Sequence, residues 1–414
     1  RNGMFNPGLF SFHEVMMLYM GVMFANVILL DLYNSMGLPT STTVSLIFCL
    51  LGAAVAVSIY KISNDEALGM GDLNHFINTG RAMGIVSAIL LSVVIAFTFG
   101  TLIMYISRLI FSFRYTAMFR RFGAFWCGAS FTAILYFAVF KGLKSILAGH
   151  DFVTMVDNHL LLSLLICWVV CSLLLFFIQR FKINILRITI LSGTFALALA
   201  FAGNDLVNFI GVPLAGYSSF IDYTTNGTAA GPDGFLMTSL LGPAKTPWYF
   251  LIGAGAIMVY ALCTSKKAHN VIKTSVDLSR QDEGEESFGS TPIARTLVRF
   301  SMTIANGLSK VMPESGKRWI ETRFQKDEAI IADGAAFDLV RASINLVLAG
   351  LLIALGTSLK LPLSTTYVTF MVAMGTSLAD RAWGRDSAVF RITGVGMVAG
   401  CYVLDGKMQR NAQM

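Results

Sequence analysis

Leu38-Pro39-Thr40-Ser41-Thr42-Thr43 and Leu361-Pro362-Leu363-Ser364-Thr365-Thr366 are one pattern written twice, near opposite ends of a 414-residue chain. Each Pro-x-Ser-Thr-Thr follows one apolar run and opens another, and each has a glycine at the same offset downstream, Gly52 and Gly375. Hydroxyls placed in hydrocarbon need partners. A doubled interruption of this kind implies a polar ligand between two matching halves, as in the substrate site of a transporter.

The rest of the chain sets that pattern in a membrane. Apolar residues make up 55% and charged residues 13%, where a water-soluble protein carries about 25% charged; mean hydropathy is +0.67. Runs at 82–106, 159–181, 188–209, 247–264 and 335–359 suffice for a hydrocarbon core that takes about 20 helical residues. Shorter runs lie at 15–32, at 123–140 and after each Pro-x-Ser-Thr-Thr. None alternates apolar with polar, which excludes a transmembrane barrel. The expected fold is therefore all-α, a polytopic membrane protein with inverted-topology repeats and broken or re-entrant helices. The six cysteines lie in or beside apolar runs. Cys167 and Cys171 share a helix face with no histidine or carboxylate beside them, so they read as packing residues rather than a metal or redox pair. The five histidines show no metal-ligand spacing. No nucleophile–base pair suggests an enzyme.

Charge gives orientation. Arg108, Arg114, Arg120 and Arg121, then Arg180, Lys182 and Arg187, then Lys266, Lys267 and Lys273 occupy one set of loops. In the alternate loops, 62–80 has no Lys or Arg and 222–246 has Lys245 alone. The positive-inside rule puts the first set in the cytoplasm, so the net charge of +7 is a topology signal and not a nucleic-acid one. Counted from there, the two patterns approach the membrane centre from opposite faces, as inverted repeats do. The expected division is an incomplete first repeat, 1–61, ending in the Pro-x-Ser-Thr-Thr helix; connecting transmembrane helices, 82–181; and an Asn-Asp helix with its following span, 183–264. A cytoplasmic loop, 265–334, and the second Pro-x-Ser-Thr-Thr unit with a truncated last helix, 335–404, complete it. Within the loop, 281–287 is acidic and 292–324 has helical spacing suited either to a surface amphipathic helix or to a loosely ordered segment. The ends, at Arg1 and after 390–404, read as those of an internal fragment.

The chemistry follows from the helix starts. Proline suits a first helical turn, and Ser and Thr hydroxyls stand beside backbone N–H groups left free there. With the helix dipole they make an anion site that needs no Lys or Arg. An ordinary capped helix is the plain alternative for one copy; duplication favours the ligand. A second constellation is Gly203-Asn204-Asp205-Leu206-Val207-Asn208. An aspartate within a span marks a functional site by default, and Asn204 and Asp205 are candidate sodium ligands. Gly203, Gly211, Pro213 and Gly216 predict local unwinding that would free carbonyls for an ion. The plain alternative is a polar cluster joining helices. Asn26, Asp31 and Asn34 precede the first pattern. Asp338, Arg341 and Asn345 precede the second, with Asp338 and Arg341 expected to pair.

These residues resemble the PiT (Pho4) family of inorganic phosphate transporters. The Asn-Asp stretch is similar to that family's Gly-Ala-Asn-Asp-Val-Ala-Asn-Ala signature, and the two Pro-x-Ser-Thr-Thr stretches look like its paired motifs. Here Gly-Asn-Asp replaces Gly-Ala-Asn-Asp, Asn208-Phe209 replaces Asn-Ala, and the first-half Asn-Asp element would precede Arg1. The resemblance implies a secondary symporter in the plasma (inner) membrane that imports phosphate with sodium or protons and needs no other cofactor. It implies phosphate held by Ser41, Thr42, Thr43, Asn204, Asp205, Asn208, Ser364, Thr365 and Thr366. Partners would be phosphate and lipid, not nucleic acid, and a homo-oligomer is compatible. The alternatives are a symporter for another oxyanion such as sulfate, or a passive anion channel.

Overall fold

The computed structural model describes residues 3–64, 69–113, 115–137, 156, 158–242, 247–281, 313–324, 335–359, 361, 363–383, 388 and 391–392. The acidic run 282–287, most of 292–324, Lys245, Pro362 and most of the last apolar stretch lie outside them. The described residues are helical, with two isolated β-bridges. That is the expected all-α membrane fold, since a helix satisfies its own backbone in lipid.

The helices are α1 (Phe12–Ser35), α2 (Thr42–Asn64), α3 (Thr79–Ile110), α4 (Tyr115–Leu135), α5 (Leu160–Arg180) and α6 (Ile185–Asp222). They continue with α7 (Trp248–Thr264), α8 (Lys266–Leu278), α9 (Glu314–Arg323), α10 (Leu339–Ser358) and α11 (Thr365–Ala379). Six of those described are long and apolar enough to span a membrane, seven if α7 and α8, bent by 71° at their junction, count as one broken span. α9 falls inside the segment read as surface-helical or loosely ordered.

Two helical hairpins carry the doubled pattern, and their turns match at the described positions. α1 ends with Gly37 at φ +67°, and Leu38 N–H donates to the Tyr33 carbonyl. This left-handed terminus suits glycine. α10 ends with the same five-residue spacing, Leu361 N–H donating to the Gly356 carbonyl. Ser41 and Ser364 then cap the returning helices, their Oγ atoms accepting from Val44 N–H at 3.2 Å and Tyr367 N–H at 3.1 Å. The prolines were expected inside the first turn. The caps fall at the serines instead, so Pro39 precedes the helix start at Thr42. Serine at the cap satisfies an orphan N–H that proline cannot.

The hairpins enter from opposite faces. The feet of the first are tied where Lys61 Nζ donates to the Leu9 carbonyl at 2.8 Å and pairs with Glu14 at 3.1 Å. Backbone bonds join residues 4–6 to 76–78 there, beside the start of α3. The feet of the second lie at the other end of α3, on Arg108. α11, with 15 residues, reaches about 22 Å and is too short for a core of about 30 Å. It packs mainly on α3, while α10 packs mainly on α6. The α3–α11 crossing is tight: a Cβ on Gly100 would lie 2.8 Å from the Val372 carbonyl, and one on Gly375 2.4 Å from that of Phe97.

Three further expectations change. Arg108, Arg114, Arg120 and Arg121 were assigned to one loop; Arg114 lies outside the described residues, Arg108 belongs to α3 and the other two to α4. Helix ends tolerate arginine when it is paired or reaches the interface. α6 was expected to unwind near Pro213, yet it continues as helix from Ile185 to Asp222; one proline removes one ladder bond, and the rest hold. Asp338 was expected to pair with the Arg341 side chain. Its carboxylate instead caps the Arg341 backbone N–H at 3.2 Å and pairs with Arg108 at 2.8 Å. A residue at an N-cap faces its own helix start, and the Arg341 side chain leaves in another direction.

Candidate functional site

Asp205 stands near the middle of the 38-residue α6, about 30 Å from its start and about 26 Å from its end at 1.5 Å per residue. Both hairpin tips arrive at this level. Thr365, in the first turn of α11, donates from Oγ1 to both Asp205 oxygens, at 2.9 and 2.8 Å. Thr42, its counterpart in the first hairpin, lies beside the same carboxylate but outside hydrogen-bond geometry. Thr43 Oγ1 accepts from Asn208 Nδ2 at 2.7 Å and from Asn204 Nδ2 at 3.4 Å. Asn204 Nδ2 also donates to Asp205 Oδ1 at 3.1 Å. Eight of the nine residues singled out by sequence thus lie around α6 or at the helix caps: Thr42, Thr43, Asn204, Asp205, Asn208 and Thr365 around α6, with Ser41 and Ser364 as caps. Ser364 adjoins Thr365 as its cap. Thr366 is half-buried in the same turn and does not join this network.

The hydroxyls divide their work. Ser41 and Ser364 are buried and accept backbone N–H bonds, yet each keeps its own O–H to donate. Thr40 Oγ1, Ser45 Oγ and Asn26 Oδ1 are buried without a partner among the described residues. Unsatisfied buried polar atoms are few in native proteins, and two of these hydroxyls flank the start of α2. Among the described residues the site therefore combines spare donors, one carboxylate and no Lys or Arg side chain in its hydrogen-bond network. Such a set can hold a small oxyanion by neutral donors, or a hard cation by carboxylate and amide oxygens.

Other polar residues singled out by sequence serve elsewhere. Asn345 Oδ1 accepts from Thr376 Oγ1 at 2.6 Å and joins α10 to α11. Asp31 is exposed and pairs with Lys267 at 2.5 Å. What the sequence concealed is the Arg108 cluster, because Arg108 follows the run 82–106 and reads as one loop charge among several. No group of three or more potential metal-ligating side chains occurs among the described residues.

Two helical hairpins that enter from opposite ends of α3 and meet at a carboxylate midway along α6 define a membrane transport protein. The chain belongs to the PHO4 phosphate transporter family, whose family model matches residues 1–276; it is thus a multi-pass phosphate transport protein and not an enzyme. That match includes the first Pro-x-Ser-Thr-Thr and the Asn-Asp helix, and the second copy lies beyond it. Among solved structures, one described as "The sodium-dependent phosphate transporter" is similar at a TM-score of 0.59 and 12% identity, covering 96% of this chain and 80% of that one. At that identity the likeness is one of fold. A search of curated proteins returned no match.

Proposed function

We propose that the protein is a secondary active symporter importing inorganic phosphate with sodium or protons. The observation that carries this reading is the convergence of Thr365 and Thr43 on Asp205, Asn204 and Asn208. Phosphate would lie between the starts of α2 and α11, held by Ser41, Thr42, Thr43, Ser364, Thr365 and Thr366, with Asn204, Asp205 and Asn208 closing the α6 side. Positive helix ends and neutral donors suit an anion that must also leave.

Coupling is required because each negative charge entering a negative-inside cell costs about 2.3 kcal/mol per 100 mV. Asp205 and Asn204 offer oxygens to sodium, and Asp205 alone offers a proton acceptor. The sodium dependence named for the similar structure favours sodium. Asp205 also favours phosphate over sulfate, since a carboxylate accepts the proton of monohydrogen phosphate and repels an anion without one. The positive-inside rule supports a cytoplasmic side for the face bearing Arg120, Arg121, Lys182 and Lys267, and with it for the loop 265–334; a phosphate importer belongs in the plasma (inner) membrane.

The test is uptake into liposomes with sodium and pH gradients imposed separately. The reading predicts accumulation against a phosphate gradient under one of them, without competition by sulfate. Downhill flux alone would make the protein a channel.

Thr365→Val and Thr43→Val should each raise the apparent KM for phosphate more than tenfold with the protein still inserted. Each removes one hydroxyl, and a hydrogen bond to a charged group is worth about 1.5–3 kcal/mol, with tenfold in affinity per 1.4 kcal/mol. Unchanged KM in both variants would leave these residues as helix contacts only.

A further inference from the structure

On the face where α3 ends, Arg108 is fully buried and grips two carboxylates bidentately. It reaches Asp338 at 2.9 and 2.8 Å and Asp380 at 2.6 and 2.8 Å, with Phe113 stacked at 4.0 Å. Asp338 caps the start of α10 and Asp380 the end of α11, so one guanidinium clamps both feet of the second hairpin to α3. Beside it, Arg341 lies 3.9 Å from Asp380 and donates to Gln281 Oε1 at 2.8 Å and to the Ser279 carbonyl.

Ser279 and Gln281 follow α8, and α8 itself passes under the tip of the first hairpin. Lys267 pairs with Asp31. A Cβ on Gly37 would lie 3.6 Å from Thr274 Oγ1 and 3.9 Å from Asn270 Cβ. Residues 266–281 therefore run from one hairpin's tip to the other's feet. On the opposite face a cavity of about 1020 Å³ opens, lined by Tyr19, Leu50, Arg81, Ile85, Ala215 and Asp222 among others. It descends to Ala215, about 10 Å along α6 from Asn208 at 1.5 Å per residue.

We propose that residues 266–281 are a strap that closes the site on the basic face, latched at Arg341, while the site communicates with the cavity on the other face. The strap is the moving part because its tie to the first hairpin is an exposed ion pair, which contributes little, and its latch on Arg341 is two neutral acceptors, whose release leaves that guanidinium beside Asp380. The Arg108 clamp is fully buried, and breaking it would strand two carboxylates, so the hairpin feet stay joined when the strap leaves. This rests on the phosphate-site reading for its transport arm but not for its dynamics.

The experiment locks the strap to the hairpin tip. Gly37→Cys with Asn270→Cys places two Cβ atoms at a separation that suits a disulfide, about 3.8 Å. Oxidation should lower phosphate uptake at least tenfold, reduction should restore it, and each single variant should be insensitive to oxidation. Phosphate Kd of the oxidised protein in detergent should stay within about twofold of the reduced one, because the cavity still leads to the site. Equal uptake in both states, or loss of binding on oxidation, would overturn the proposal. Independently of phosphate, backbone amides of 266–281 should exchange with solvent at least tenfold faster than those of α10, and Gln281→Ala should speed them further. Equal protection would sink the strap even if transport behaved as expected. A reduced protein that neither bound nor moved phosphate, with fast exchange intact, would instead fault the site reading.

Discussion

Asp205→Asn reduces ion-coupled phosphate uptake at least a hundredfold while the protein still inserts and accumulates. Asparagine keeps the shape of the side chain and the Asn204 and Thr365 neighbours, so the helix crossing survives. What disappears is the one carboxylate facing both hairpin tips. Both of its oxygens accept from Thr365, and a hydrogen bond to a charged group is worth about 1.5–3 kcal/mol. The change also removes the proton or sodium acceptor, so the coupled step fails in addition to the weakened binding. Uptake is measured in liposomes against a quantified amount of reconstituted protein, with sodium and pH varied separately. Wild-type dependence on both ions in the asparagine variant would remove Asp205 from the mechanism.

Gly375→Val abolishes accumulation of the folded protein. A Cβ at this position would lie 2.4 Å from the Phe97 carbonyl and 2.9 Å from Thr101 N, both backbone atoms of α3. Gly100 makes the reciprocal approach to Val372. In lipid, helices associate through close packing of small residues rather than by the hydrophobic effect, and forced overpacking typically costs about 1–3 kcal/mol or more. Valine adds two further methyls to a contact that one Cβ already violates. Separating α3 from α11 would also strain the Arg108 clamp and withdraw Thr365 from Asp205. Gly84→Val is the control, since a Cβ there meets nothing within 4 Å. The readout is the monodisperse fraction in detergent, and equal recovery of the two variants would refute the packing argument.

Much of this was legible in the chain. Apolar runs long enough to span, few charges and the absence of alternation dictate a helical membrane protein, because in hydrocarbon the backbone must bond within its own segment. The duplicated Pro-x-Ser-Thr-Thr was legible too, since a capped helix start is a local event. Even the equivalence of Leu38 with Leu361 and of Ser41 with Ser364 reappears in their backbone bonds. Asp205 announced itself as a carboxylate inside a span. The position of Pro39 was misjudged because Ser41 competes for the same cap, and local spacing does not rank them. The unwinding of α6 was misjudged because glycine and proline permit a break without requiring one.

Sequence by itself determined the solvent, the helices and the two hydroxyl-rich turns, all of which depend on residues within a few positions of each other. Tertiary structure decided which hydroxyl meets which ligand group: Thr365 reaches Asp205 across a separation of 160 residues, and Thr43 reaches Asn208 across 165. It alone showed that Arg108, which looked like one loop charge among several, is buried between Asp338 and Asp380, 230 and 272 residues away. It also showed that α8 turns by 71° from α7 to lie under the first hairpin's tip. Contacts of this range leave no periodicity in a single chain, because they depend on how whole helices cross, and crossings are set by the summed packing of faces rather than by any short run of residues.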